Sequence, residues 1–127
     1  METLYIERTD YTPKIVLDPE ELQFTIRGAS RPENAKKFYE PVVKWLESFI
    51  AQTPSTSAPL SVDVKLKYFN SASMVYLTDV FKLIARIHGN GTRILIDWYM
   101  DEDDDLLREA GQELSELSGL PFNFVEE

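Results

Sequence analysis

Apolar and polar residues alternate with a period of two in three stretches: Leu22-Gln23-Phe24-Thr25-Ile26, the run from Leu60 to Tyr68, and Ile94-Leu95-Ile96-Asp97-Trp98. Side chains leave a strand to alternate sides, so each stretch predicts a strand with one buried face and one face turned to water. The middle run is the longest, and its phase places Leu60, Val62, Val64, Leu66 and Tyr68 together on the buried side. Leu4-Tyr5-Ile6 and Lys14-Ile15-Val16-Leu17 predict short strands that extend the sheet on its N-terminal side, and Phe122-Asn123-Phe124-Val125 predicts a last one.

Helical spacing fills the gaps. Ser30-Arg31-Pro32-Glu33 has the form of a capping box, so a helix is expected to begin there. Ala35, Phe38, Val42, Leu46, Phe49 and Ile50 then recur at steps of three and four and predict one buried stripe. Pro41 lies inside this helix, lacks a backbone donor, and predicts a kink. A second helix is expected over 72–88, with Val75, Val80, Phe81, Ile84 and Ile87 apolar and Gly89-Asn90-Gly91 ending it. A third carries Leu106, Leu107, Ala110, Leu114 and Leu117 and stops near Gly119, ahead of Pro121. The stretch Pro54 to Pro59 is a connecting loop.

The order strand, helix, strand over 60–99 is a crossover unit, which makes its two strands parallel and right-handed. Joined to an N-terminal meander, it predicts an α/β fold: one mixed sheet of five to six strands with three helices mainly on one face. At 127 residues, one domain is expected, spanning 1–127.

Composition narrows the function. Cysteine is absent, which removes disulfides, thiolate nucleophiles and cysteine metal sites. No apolar run is long enough for a membrane span, and the first residues lack the layout of a secretory signal, so a cytoplasmic protein without a membrane partner is expected. Acidic residues outnumber basic ones 22 to 13, a formal charge of −9. Nucleic acid is therefore a poor partner unless the few cations cluster, and Lys36-Lys37 and Lys65 with Lys67 are the only hints that they do.

The single histidine, His88, stands at a helix end, where a cation favours the dipole. With one histidine and no cysteine, the usual nucleophile and base pairings are missing, no phosphate-binding loop or nucleophile elbow is present, and no catalytic residue is expected. The acidic run Asp101 to Asp105 lacks the spacing and glycine of a calcium loop, and its simplest role is to open the third helix; a Mg²⁺-assisted hydrolase is the rival reading. Trp45, Trp98 and Tyr99 either complete the core or, in a second rival, line a small-ligand or nucleotide site.

The informative segment is Tyr68-Phe69-Asn70-Ser71-Ala72-Ser73, where the central strand passes into the second helix. Ser71 is expected at or near the helix cap. A capping serine needs no function, and position alone favours that reading. The chemistry there adds another: free amides and the positive dipole end accept a phosphate without unfolding the domain, and phosphorylation adds about −1.5 to −2 charge.

The whole pattern resembles the SiaC family of regulatory phosphoproteins, whose fold is similar to STAS and anti-sigma-factor-antagonist domains. Its marks are Gly28-Ala29-Ser30-Arg31-Pro32-Glu33, Phe38 with Pro41 and Trp45, Tyr68 to Ser73, Trp98-Tyr99, and Asp103 to Asp105 with Glu109-Ala110-Gly111. The resemblance implies a non-enzymatic partner switch without a cofactor or metal. Ser71 would be phosphorylated by a dedicated protein kinase and cleared by a PP2C-type phosphatase. The unphosphorylated form would bind and activate a diguanylate cyclase, feeding cyclic di-GMP signalling and biofilm growth. The family segment resembles Tyr-Phe-Asn-Thr-Ser-Ser; here Ser71 and Ala72 replace the threonine and the following serine, so Ser73 is a second candidate acceptor. Asn70, Ser71, Ala72, Ser73 and Met74 are the expected partner contacts. A homodimer is left open.

Overall fold

The computed structural model describes all 127 residues. Six strands form one sheet in sequential order: β1 (Leu4–Ile6), β2 (Lys14–Asp18), β3 (Gln23–Ser30), β4 (Leu60–Phe69), β5 (Ile94–Met100) and β6 (Asn123–Glu126). The first three are an antiparallel meander, and β3 to β6 run parallel. Each parallel step is bridged by a helix: α1 (Ala35–Gln52), α2 (Ser71–Gly89) and α3 (Asp105–Ser118). α1 packs on α2 and α2 on α3, forming one layer. The predicted mixed α/β sheet with three helices on one side is present. No helix is long and apolar enough to cross a membrane.

Alternation dictates what lies under that layer. Phe24 and Ile26 from β3, Leu60, Val62, Val64 and Leu66 from β4, and Ile96 and Trp98 from β5 are buried against Tyr39, Val42, Leu46, Leu77, Phe81, Ile84 and Leu114 of the helices. Each such side chain contributes roughly 1.5–3 kcal/mol through burial. The intervening residues, such as Thr25, Asp63 and Asp97, face away from the helices across a bare sheet surface.

Several local expectations are corrected. Ser30 does not cap α1; it is the last residue of β3 and fully buried, because the strand continues through Gly28. The cap is Asn34, whose side chain accepts from the Lys37 amide at 3.0 Å. Leu22 stands ahead of β3 in the left-handed region, φ 53°. α1 runs unbroken through Pro41. Its buried stripe is Ala35, Tyr39, Val42, Leu46 and Phe49, so Tyr39 takes the central place and Phe38 is only half-buried. Val75, Leu106 and Leu117 face solvent, at 60%, 73% and 49% exposure.

Tyr68 is also corrected. The β3–β4 register slips between Gly28 and Ala29, pairing Gly28 with Leu66 but Ala29 with Tyr68, so Lys67 is an extra, unpaired residue. Such a bulge shifts the phase of a strand by one position. Tyr68 therefore turns out, 50% exposed, and Phe69 turns in toward the core. The bulge lies just ahead of α2 and sets how the chain enters that helix.

Candidate functional site

α1, α2 and α3 each follow a strand and begin at the same edge of the sheet, so three positive helix ends share one rim. The caps are Asn34, Asn70 and Asp104. Asp104 accepts from the Leu107 amide at 3.1 Å and Asp105 occupies the first turn of α3, so the acidic run serves the helix start as expected.

At α2, Asn70 rather than Ser71 is the cap. Its side chain accepts from the Ser73 amide at 2.8 Å and its carbonyl from the Met74 amide at 3.2 Å. The amides of Ser71 and Ala72 have no acceptor within the helix and stand at its positive end. Ser71 is the first helical residue, exposed, and its hydroxyl makes no hydrogen bond. Ala72 is exposed beside it, and Met74 is half-buried against the core.

Ser73, two residues on, has the opposite environment. It is fully buried and its hydroxyl donates to the Ser30 carbonyl at 2.9 Å. The Ser30 hydroxyl in turn donates to Ser73 Oγ at 2.8 Å. With that proton committed, the 2.5 Å contact between Ser30 Oγ and Tyr39 Oη is made by the tyrosine hydroxyl donating. The Asn70 amide adds a fourth contact, 3.0 Å to the Ser30 carbonyl. Three buried hydroxyls thus tie the end of β3, the first turns of α1 and the start of α2 into one chain, with no buried polar atom left unpaired. Burial pushes the Tyr39 hydroxyl up to about 12, against the lowering effect of its hydroxyl neighbours. Ser73, the second candidate acceptor and an expected partner contact, is thus sealed from solvent in this fold.

The pattern of apolar positions misses Ser30 and Tyr39. The available signal was Tyr39 itself, which falls between Ala35 and Val42 on the buried stripe and brings a hydroxyl that must find a partner there.

The aromatic ligand site does not form. Trp98 is 1% exposed, stacks on Phe122, and donates its Nε1–H to the Leu107 carbonyl at 3.0 Å. Tyr99, its neighbour, points to the opposite face of the sheet, where Asp63 and Asp97 raise its pKa. Trp45 stacks on Phe49 and donates to the Glu2 carbonyl at 2.9 Å, holding the N-terminal segment. His88 lies in the last turn of α2, with Nδ1 3.3 Å from the Thr92 carbonyl.

Known proteins share this arrangement. Residues 6–127 match the model of the SiaC family of regulatory phosphoproteins. An uncharacterised protein of Pseudomonas aeruginosa is 30% identical over 122 residues, covering 96% of this chain and 94% of its own. The crystal structure of apo-SiaC from Pseudomonas aeruginosa superposes with a TM-score of 0.85 at 29% identity, covering 98% of this chain and 99% of that one. SiaC from the same organism, in complex with the diguanylate cyclase SiaD that it activates, superposes with a TM-score of 0.85 at 28% identity and the same coverage. The chain belongs to the SiaC family of regulatory phosphoproteins.

Proposed function

We propose that this protein is the activator in a phosphorylation-controlled partner switch. The unphosphorylated chain binds and activates a diguanylate cyclase, as SiaC does with SiaD, and raises cyclic di-GMP. A protein kinase places a phosphate on Ser71 and the complex separates; a PP2C-type phosphatase restores it. The chain itself catalyses nothing and works in the cytoplasm.

The supporting observation is the contrast between two hydroxyls two residues apart. Ser71 is exposed, unbonded and at the positive end of α2, whereas Ser73 is sealed in a hydrogen-bonded chain. A phosphate on Ser71 meets the free amides of the helix start, so the fold tolerates it. On the outside it adds about two negative charges to a surface that the partner must cover, which removes binding by desolvation and repulsion. Partner contact is expected along Ser71, Ala72 and Val75, the exposed ridge of the first turns of α2.

The test compares Ser71→Asp with Ser71→Ala against the cognate cyclase by calorimetry. Ser71→Ala retains affinity, and Ser71→Asp loses at least about tenfold, the scale of one charge buried without a partner. Equal affinities for the two variants would refute the proposal, as would phosphopeptide mass spectrometry that finds the modification elsewhere.

A further inference from the structure

On the bare face of the sheet, strand register brings together residues that lie far apart in sequence. Lys14 of β2 pairs with Arg27 of β3, and Arg27 pairs with Lys65 of β4, so three cations stand side by side on adjacent strands. Strands are spaced about 4.8 Å apart, and like charges directly opposite one another destabilise a sheet.

The bulge extends it. Lys67 is the unpaired bulge residue, and Tyr68, turned out by the phase shift, holds the Arg31 guanidinium 5.7 Å from its ring centroid. The Tyr11 ring centroid lies 5.2 Å from the same guanidinium. A guanidinium over two rings gains cation–π attraction while its N–H donors remain available to an anion. Lys14, Arg27, Arg31, Lys65 and Lys67 are five of the chain's 13 lysines and arginines, gathered on one surface of a protein whose net charge is −9. Only Lys65 among them has an ion-pair partner.

That partner indicates what the row receives. Glu127, two residues beyond Val125 at the end of the sheet, places its carboxylate on the Lys65 ammonium, while its amide donates to the Met100 carbonyl at 3.0 Å. The row thus already holds a carboxylate from an extended acidic segment of its own chain, Val125-Glu126-Glu127. The next row on this face carries Asp63 and Asp97, which a long polyanion crossing the sheet would meet. A short run of carboxylates fits between these limits.

We propose that the row Lys14, Arg27 and Lys65, with Arg31 and Lys67 at its upper end, docks an acidic peptide segment of a protein partner, and that Glu127 occupies part of the site in the free chain. The row lies on the bare face of the sheet, whereas the exposed ridge of α2 belongs to the helix layer.

The experiment titrates the full chain into a fluorescein-labelled peptide of six glutamates and follows anisotropy. The peptide binds, binding weakens as salt is raised from about 0.05 M to about 0.3 M, and Arg27→Glu or Lys14→Glu weakens it by about tenfold or more. Both positions project from the bare face, and circular dichroism verifies that each variant is folded. Glu127→Gln, which vacates Lys65, binds the peptide several-fold more tightly. Absence of binding by both the natural chain and Glu127→Gln overturns the proposal. So does tighter binding of an oligothymidylate of equal length, which assigns the row to nucleic acid, or a dimer in sedimentation that Arg27→Glu dissociates, which assigns it to a second copy. Unchanged affinity in Glu127→Gln overturns the self-occupancy.

Discussion

Tyr39 joins two properties: it is fully buried in the stripe of α1, and its hydroxyl heads the chain through Ser30 to Ser73. In the unfolded chain a tyrosine ionises near 10, and in the fold burial raises this to about 12. The folded state therefore keeps its proton where the unfolded state loses it. Stability from this residue is complete below about pH 10 and disappears as the pH rises toward about 12, a loss of at most about 3 kcal/mol. Urea unfolding across that window measures it, and Tyr39→Phe removes this part of the slope while costing about 1 kcal/mol at neutral pH for the lost hydrogen bond. Ser73→Ala leaves the Ser30 hydroxyl without its acceptor and costs about 1–3 kcal/mol by the same measurement. This network was illegible in the sequence because its members are 9 and 43 residues apart and only the β3–β4 register brings them together. Ser71, by contrast, was legible: its neighbours mark the passage from a strand to a helix, and only its exact place, one residue past the cap, needed coordinates.

At the scale of elements, alternation identified β3, β4 and β5 and the parallel crossover between β4 and β5, and shorter apolar runs identified β1, β2 and β6, since period two and period 3.6 are difficult to confuse over a run as long as β4. It erred where a side chain's role was decided by a neighbour. Ser30 has the residue type of a cap, but β3 needs it as a strand end, and Asn34 takes the cap. Val75 and Leu117 have core chemistry and face solvent, Val75 on the ridge beside Ser71. Gly111 shows the same dependence on a neighbour. A Cβ there would lie 2.7 Å from both Trp98 Nε1 and the Phe124 ring, so α3 approaches the sheet only because this residue has none. Gly111→Ala forces the helix outward and costs about 1–3 kcal/mol despite its better helix propensity. A drop in thermal midpoint, with loss of near-ultraviolet signal from Trp98, is the expected readout. Asn70→Ala removes the α2 cap for about 1 kcal/mol and frays the turn that carries Ser71, which hydrogen exchange at the Ser73 amide detects.

The whole molecule presents two contrasting faces built from one sheet. Helices cover one side and deliver their positive ends to a common rim; the other side is bare and divided by register into a basic row and an acidic one. The first arrangement follows from element order and was predictable. The second was not, because Lys14, Arg27 and Lys65 become neighbours only once β2, β3 and β4 are aligned, and in the sequence only Lys65 and Lys67 stand close. Both surfaces meet at the single surplus residue of β4. Lys67 acts as a half-period offset: below it the strand keeps even-numbered side chains inward, and above it odd-numbered Phe69 goes inward while Tyr68 goes out. Were Lys67 paired in unbroken register instead of bulged out, the Tyr68 ring would turn inward and Phe69 would swing into water. The arginine clamp on one side and the presentation of the serine on the other would be lost together, although neither residue had been touched.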